Sequence, residues 1–347
     1  MKIFEHIDII NNQANGCVIA LGNFDGFHRG HHVVVGEAGR KARELGVPLT
    51  VVVMEPHPVS FFAPDKPPFR LTTASERALL LEKFGVDQLV VLPFDSSLAS
   101  MSASDFIADI LVKRLNTKHV CVGYDYRFGK GRAGDTNMLE ASGRELGFGL
   151  TVINPVTVGI EGFAGDVYSS TLVRTALSDG RARQAAALLG HWWIINGKVV
   201  KGDQRGRTID FPTANIELGE NLQPKLGVYA VRVKLGEDDT IYNGVANIGK
   251  RPTFDKRDVL MEVFLFNFSG DIYGCDARVE IVSFIRSEQK FAGLEDLKEQ
   301  IAKDVESAAR LLSDPENDRD HLHLPSLDEY LDRFPAQHDK AAVKHTV

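Results

Sequence analysis

The chain has 347 residues, 44% of them hydrophobic and 25% charged, with a formal net charge of -7. That length favours two domains, and the composition is that of a soluble globular protein whose core needs neither disulfides nor structural metal. The negative balance argues against nucleic acid as the main partner, and no apolar run is long enough to span a bilayer. The opening MKIFEHIDIINNQ lacks the basic and apolar regions of a secretory leader, and Cys17, Cys121 and Cys275 lie far apart in apolar runs. Both features lead to the expectation of a cytoplasmic protein with reduced thiols.

In chain order, CVIAL (17–21) reads as a short buried strand, and Val34, Ala38, Ala42 and Leu45 mark the apolar stripe of a following helix. LTVVVM (49–54) is the next strand. Thr73 to Glu76 has the form of a capping box opening a helix that Gly85 ends. QLVVL (88–92), a helix from Ser102 to about Leu115, HVCVG (119–123) and LTVI (150–153) follow. Strands separated by helices predict a doubly wound α/β fold with a parallel sheet.

After Gly190 the pattern changes. WWIINGKVV, GVYAVRVKL, IYNGVANIG, MEVFLFNF and ARVEIVSFI are strands with no helix between them, which predicts a small antiparallel β-barrel. One helix over 293–312 closes it, with Leu294, Leu297, Ile301 and Val305 on one face. The expected domains are therefore 1–185, 186–312 and a polar tail over 313–347, partly disordered. Within that tail Ser326 to Glu329 caps a short helix ending near Phe334.

Chemistry concentrates in a few stretches. In GNFDGFHRGHH (22–32), His28 and His31 fall where the first strand meets the first helix, three residues apart and so on one helix face. The carboxyl end of an α/β sheet is where ligands bind. Solvated histidines are one reading; a phosphate site built from helix N–H groups and imidazole donors is the other. Gly22, Gly26 and Gly30 let the backbone come close. No Cys pair or H-E-x-x-H accompanies the histidines, which weakens a zinc reading. SSTLVR (169–174) is a second candidate: a helix start with hydroxyls and Arg174 one turn on, or simply a cap and a surface arginine.

GYDYRFGKGRAG (123–134) contains G-x-G-x-x-G, but no acidic residue ends the next strand, so a nicotinamide dinucleotide is excluded while another nucleotide is not. In the second half, Gly202, Arg205, Gly206 and Arg207 form a basic loop ahead of Thr213 and Asn215. Those two offer neutral oxygens on one side of an extended segment and suit a magnesium shell completed by ATP phosphates; a plain glycine-rich hairpin is the alternative. Period two places Glu262 on the face of Phe264, Phe266 and Phe268. A carboxylate there is a general base with a burial-raised pKa, or else an exposed or paired side chain.

Taken together, GNFDGFHRGH, EPHP (55–58), GYDYRFGKGRAGD, SSTLVR, GRTIDFPTAN, GVYAV, NIGKRPTF and FIRSEQKF resemble the prokaryotic bifunctional riboflavin kinase / FMN adenylyltransferase (FAD synthetase) family, in family order from about residue 16 to 312. The resemblance implies a nucleotidyltransferase-like first half that joins FMN to ATP, giving FAD and pyrophosphate. It assigns Gly22, Phe24, His28, His31, Asp125, Ser170, Thr171 and Arg174 to the ATP site there. It implies a riboflavin kinase barrel in which Gly202, Arg207, Thr213, Asn215 and Arg286 bind ATP or flavin, Thr213 and Asn215 serve Mg2+, and Glu262 is the base. Riboflavin, FMN, FAD and ATP are then substrates or products, with no nucleic-acid or membrane partner, and the protein is a monomer or weak homo-oligomer. Asp210, Phe264 and Met54 depart from the usual family residues. On the residues alone, another α/β adenylyltransferase or a barrel that binds single strands stays open.

Overall fold

Uninterrupted apolar runs such as CVIAL make strands buried on both faces, as a parallel sheet under helices requires. In the computed structural model, which describes residues 1–5, 16–201, 211–250 and 259–335, they do so. The strands β1 (Lys2–Phe4), β2 (Cys17–Leu21), β3 (Leu49–Glu55), β4 (Gln88–Pro93), β5 (Thr117–Gly123) and β6 (Gly149–Ile153) form one parallel sheet in the order β1-β4-β3-β2-β5-β6. The order reverses at β2, which lies between β3 and β5. Beyond its carboxyl end lies the crevice where such sheets take ligands. Residues 22–28 are therefore delivered to that crevice.

The helices of this half are α1 (Arg29–Leu45), α2 (Pro58–Phe62), α3 (Ala74–Phe84), α4 (Ser96–Ser100), α5 (Ala103–Asp105) and α6 (Thr136–Leu146). On α1 the predicted stripe buries Val34, Ala38 and Ala42, whereas Leu45 at the helix end is 50% exposed. The single helix expected from Ser102 is not uniform. Ser102 caps α5, and the chain then winds wider, as a π-helix over Phe106–Arg114 that turns Phe106, Ile107, Ile110 and Leu111 into the core. Only half of the expected Thr73 capping box forms. The Thr73 hydroxyl accepts from Glu76 N–H at 3.2 Å, but the buried Glu76 carboxylate accepts from Arg278 (2.9 Å) and Asn196 (3.1 Å) instead of from the cap.

The second half starts with α7 (Ser170–Ser178) and α8 (Ala182–Leu189). Then β7 (Trp193–Val200), β8 (Thr213–Glu217), β9 (Gly227–Leu235), β10 (Ile241–Lys250), β11 (Val259–Leu265) and β12 (Asp276–Arg286) close an antiparallel barrel ordered β10-β11-β8-β7-β12-β9. A 20-residue helix, α9 (Leu294–Ser313), covers part of it. Its seam follows and extends the expected one: Leu297, Ile301 and Val305 are half-buried, with Val305 packed on the barrel cluster, and Asp304, Ala308 and Leu312 are buried, while Leu294 at the helix start is 54% exposed. Arg286 explains a charge in that seam, since its Nε and terminal nitrogen donate to the two Asp304 oxygens at 2.8 and 2.6 Å.

The chain forms two compact units whose limits differ from the expected cut at 185. One holds the described residues of Met1–Lys66 and Arg77–Tyr168 with those from Leu324 on; the other holds Pro67–Glu76 and the described part of Ser169–His323. Helix α8 belongs with the barrel because its apolar side, including Ala186, packs in the same cluster as Trp192, Val228 and Val282. Segment 67–76 is tied there as well, with Trp193 Nε1 donating to Leu71 O at 2.8 Å.

The tail returns to the first unit as α10 (Leu327–Arg333), opened by a full capping box of Ser326 and Glu329. Its Tyr330 is 2% exposed, lies over Gly36 of α1 where any Cβ would collide with the ring, and donates to Glu37 at 3.2 Å. Tyr330→Ala is expected to lower the stability of this unit by about 3 kcal/mol, through the lost ring and the cavity left behind. Tyr330→Phe, which forfeits one hydrogen bond, costs about 1 kcal/mol. Urea unfolding followed by a probe in the α/β unit reads the difference; equal losses for the two variants would contradict this packing.

Candidate active sites

In the first unit the site grows from the loop between β2 and α1. Phe24, Gly26 and Phe27 have φ of 50°, 82° and 39°, so the chain coils tightly, and Phe24 and Phe27 are driven into the core. The loop ends at His28, the N-cap of α1, whose Nδ1 accepts from His31 N–H at 3.3 Å. In a neutral ring that bond leaves the His28 proton on Nε2. The His28 and His31 rings stack with centroids 3.6 Å apart, and Phe24 meets His31 edge-on at 5.1 Å. Gly30 makes this possible, because a Cβ there would lie 3.1 Å from the His28 ring and 3.0 Å from Tyr168. Gly22 is covered by the Phe24 ring in the same way. Two imidazoles thus sit at the amino end of a 17-residue helix, where backbone N–H groups and the helix dipole favour an anion. Burial pulls the Arg29 guanidinium below its ordinary value, with Tyr168 opposing the shift and Arg333 adding to it.

Behind the loop lies a polar layer that sequence reasoning did not find. Arg77, 1% exposed, donates to Asn23 O at 3.1 Å and to Glu55 at 2.6 Å. His57 caps α2, its Nδ1 accepting from Val59 N–H at 3.1 Å, and its Nε2 lies 3.2 Å from the Asn23 amide. Asn23, Glu55 and His57 stand in the quoted GNFDG and EPHP stretches; nothing in TTASERALL announces that Arg77 is buried. Asp125 follows β5, the neighbour of β2, so it stands at the same sheet edge as the histidine loop and is exposed. The G-x-G-x-x-G run closes a hairpin in which Phe128 pairs with Gly134. Gly129 and Gly134 both pack against Ala103, which gives these glycines a packing reason.

Ser170, Thr171 and Arg174 lie on α7, in the second unit. The cap is Ser169, whose Oγ accepts from Leu172 N–H at 3.2 Å, so Ser170 and Thr171 occupy the first turn. Arg174 donates through Nε to Phe69 O at 2.9 Å and stacks on the Phe69 ring.

In the barrel, pairing register assembles the second candidate site. Asn215 of β8 is directly opposite Glu262 of β11, which is directly opposite Asn247 of β10. Opposite residues share a face, and Thr213, two residues before Asn215, shares it too. The structure thus brings Thr213, Asn215 and Glu262 together. Glu262 is exposed, which was one of the alternatives its sequence position left open. Phe264 and Phe266 share its face, but β11 ends at Leu265 and Phe268 turns away to meet Tyr242 at 5.0 Å. Arg286 lies on the same cross-strand ring through Val228 and Asn247, three strands around the closed barrel from Glu262. Its fork is held by Asp304, which gives it a structural task.

A cavity of about 520 Å³ meets this row at Thr213 alone; its other β8 and β11 residues, Ala214, Val263 and Leu265, alternate to the opposite face of the strands. Val199, Ala214, Val263 and Leu265 form its apolar wall, and Thr213, Ser269, Asp271 and Tyr273 its polar side. Among the described residues, no cluster of three or more His, Cys, Asp or Glu side chains has the geometry to hold a metal ion. A hard cation here would depend on neutral protein oxygens and substrate phosphates. Gly202, Arg207 and Asp210 lie outside the described residues.

Two family models match the chain: FAD synthetase over residues 10–166 and riboflavin kinase over 189–312. The bifunctional riboflavin kinase/FMN adenylyltransferase of Escherichia coli K12 is 44% identical over 83% of this chain and 90% of its own length. The Haemophilus influenzae protein of that name is 40% identical over 89% and 98%, and that of Bacillus subtilis 38% over 88% and 95%. A crystal structure from Streptococcus pneumoniae, solved under the name macrolide-efflux protein, is 31% identical with a TM-score of 0.77, covering 89% of this chain and 98% of that one.

Proposed function

Because the chain belongs to the bifunctional riboflavin kinase/FMN adenylyltransferase family, we propose that its two reactions use the two constellations just described, one in each unit. The chain phosphorylates riboflavin with ATP to FMN, and joins FMN to a second ATP to give FAD and pyrophosphate.

In the adenylyl transfer a phosphate oxygen of FMN attacks the α-phosphorus of ATP, and the bond from that phosphorus to the pyrophosphate oxygen breaks. Charge builds on the departing pyrophosphate. His28, His31 and the first N–H groups of α1 are positioned donors for those oxygens, and they need no reorganisation as charge develops. In the kinase, the cavity takes the adenosine and Thr213, on its rim, receives the phosphates. The γ-phosphate then lies over Asn215 beside Glu262. Glu262 orients the riboflavin hydroxyl and accepts its proton as the bond to phosphorus forms, the part a carboxylate plays in other phosphoryl transfers. The observation that carries the kinase reading is the cross-strand register that sets Asn215 beside Glu262, with Thr213 on the same face and at the edge of the cavity.

The Thr213 hydroxyl and Asn215 carbonyl fit magnesium, which takes few protein ligands and prefers phosphate and water oxygens. When bound, magnesium neutralises phosphate charge. The enzyme on this reading is cytoplasmic, monomeric or weakly associating, and works on small molecules without nucleic acid or membrane. No helix among the described residues is long and apolar enough to cross a membrane.

Thr213→Val tests the assignment, since it keeps the shape and removes one oxygen. The magnesium concentration needed for half-maximal FMN formation, and for ATP binding by calorimetry, is expected to rise about tenfold, in line with the loss of a ligand-shell oxygen. Unchanged magnesium dependence in both measurements counts against it.

A further inference from the structure

We propose that the C-terminal helix α10 is a working part of the adenylyltransferase unit, and that Arg333 at its end supplies a positive charge that draws the triphosphate of ATP to the amino end of α1. The inference rests on the reading of the His28/His31 loop and adds to it a residue from the other end of the chain. The two family models stop at residues 166 and 312, so α10 (Leu327–Arg333) belongs to neither. It nevertheless lies in the same compact unit as α1.

Packing fixes the direction in which α10 runs over α1. Leu327 lies on Gly39 and Asp328 pairs with Arg43, whereas Tyr330 lies on Gly36 and donates to Glu37 at 3.2 Å. Steps forward along α10 are thus steps back along α1, and the two helices are antiparallel. A Cβ on Gly36 or Gly39 would collide with the Tyr330 ring or the Leu327 side chain, so the two glycines permit this close approach. The Tyr330 ring also meets Phe84 and Phe334, with centroids 6.1 and 5.1 Å apart. Arg40 donates to Phe334 O and fastens the end of α10. One turn beyond Tyr330, Arg333 therefore falls toward the start of α1.

Two cations meet there. Burial lowers the pKa of the Arg29 guanidinium, and the charge of Arg333 lowers it further, so Arg333 acts on the first residue of α1, next to the His28 cap. Arg333 itself is exposed and rests 5.5 Å from the centre of the Phe334 ring. Among the described residues no carboxylate pairs with it. Like charges gathered at the positive end of a helix dipole repel one another, and a polyanion relieves that repulsion. The triphosphate of ATP, which carries several negative charges, is such a polyanion. An exposed charge acts through water, so its pull is moderate and is screened by salt. It is an attraction at a distance, and any cationic side chain at position 333 can exert it.

The test follows FAD formation from supplied FMN in the full chain. Arg333→Gln is expected to raise the KM for ATP about threefold to tenfold at low salt, the size of one near-surface charge acting on a polyanion. Arg333→Glu should raise it by about that factor again, and Arg333→Lys should leave it unchanged. In all three, kcat for FAD formation and the rate of riboflavin phosphorylation are expected to hold. The screening length falls from about 10 Å at 0.1 M salt to about 3 Å at 1 M, so the differences should vanish at high salt. Gly36→Ala favours α1 as a helix but drives the Tyr330 ring off it, and is expected to abolish the effect of Arg333→Glu. An unchanged KM for ATP in Arg333→Glu overturns the inference. So does a rise confined to FMN, a salt-independent loss that Arg333→Lys shares, or a full charge effect in folded Gly36→Ala. If the His28/His31 double alanine variant also makes FAD normally, the site reading itself fails; if only the Arg333 variants are normal, that reading stands and this one falls. Should Gly36→Ala not fold, the charge series at position 333 still decides.

Discussion

Replacing His28 and His31 together with alanine is expected to cut FAD formation by at least on the order of a hundredfold, while riboflavin phosphorylation stays at its original rate. The magnitude follows from removing positioned donors from the oxygens on which charge accumulates, where a single lost donor typically costs two to three orders of magnitude. The helix amino end remains and keeps some affinity for phosphate, so substrate binding weakens less than turnover. His28 also caps α1, and the substitution costs about 1 kcal/mol of helix stability. A melting curve separates that cost from the catalytic one. Chromatography of the products from riboflavin and ATP reads the result directly: FMN accumulates and FAD does not. Near-normal FAD output from the folded double variant would remove these histidines from the mechanism.

Glu262→Gln carries the second large effect. The exchange keeps size and hydrogen-bonding reach while removing the proton acceptor, and loss of a general base typically costs on the order of a hundredfold or more. Because Glu262 is exposed, the exchange leaves no buried charge uncompensated, and folding stability is expected to hold. The loss should fall on kcat for FMN formation with little change in the KM for ATP, since the adenosine cavity and Thr213 are untouched. FAD formation from supplied FMN should be normal. Full kinase turnover in this variant would show that the cross-strand row does not perform the chemistry.

Much of this architecture was legible because backbone patterning announces it. CVIAL and LTVVVM can only be strands covered on both faces, and alternation after Gly190 can only be sheet with one face in a core. β8 was harder, since TANIE has no apolar run; its place in the barrel comes from partners on β7 and β11. The burial of Asp304 in the α9 seam was not legible, because a charged side chain is buried only where a partner meets it. That partner, Arg286, lies 18 residues away on another element. Arg77 shows the same limit, its burial following from Glu55 and the Asn23 carbonyl. The histidine pair was legible from spacing and position, but stacking, the capping bond and the Gly30 contact needed coordinates. Glu262 was found by alternation on its strand, while its alignment with Asn215 depends on register, which no single strand contains.

The claim that two separate constellations share the work is tested most directly by mixing the His28/His31 double alanine variant with the Glu262→Gln variant. Neither makes FAD from riboflavin and ATP alone: the first stops at FMN, and the second makes almost no FMN. In an equimolar mixture the first supplies FMN and the second converts it, so FAD is expected at a rate set by kinase turnover. A mixture that accumulates FMN but yields no FAD, while each variant is folded, would contradict the account.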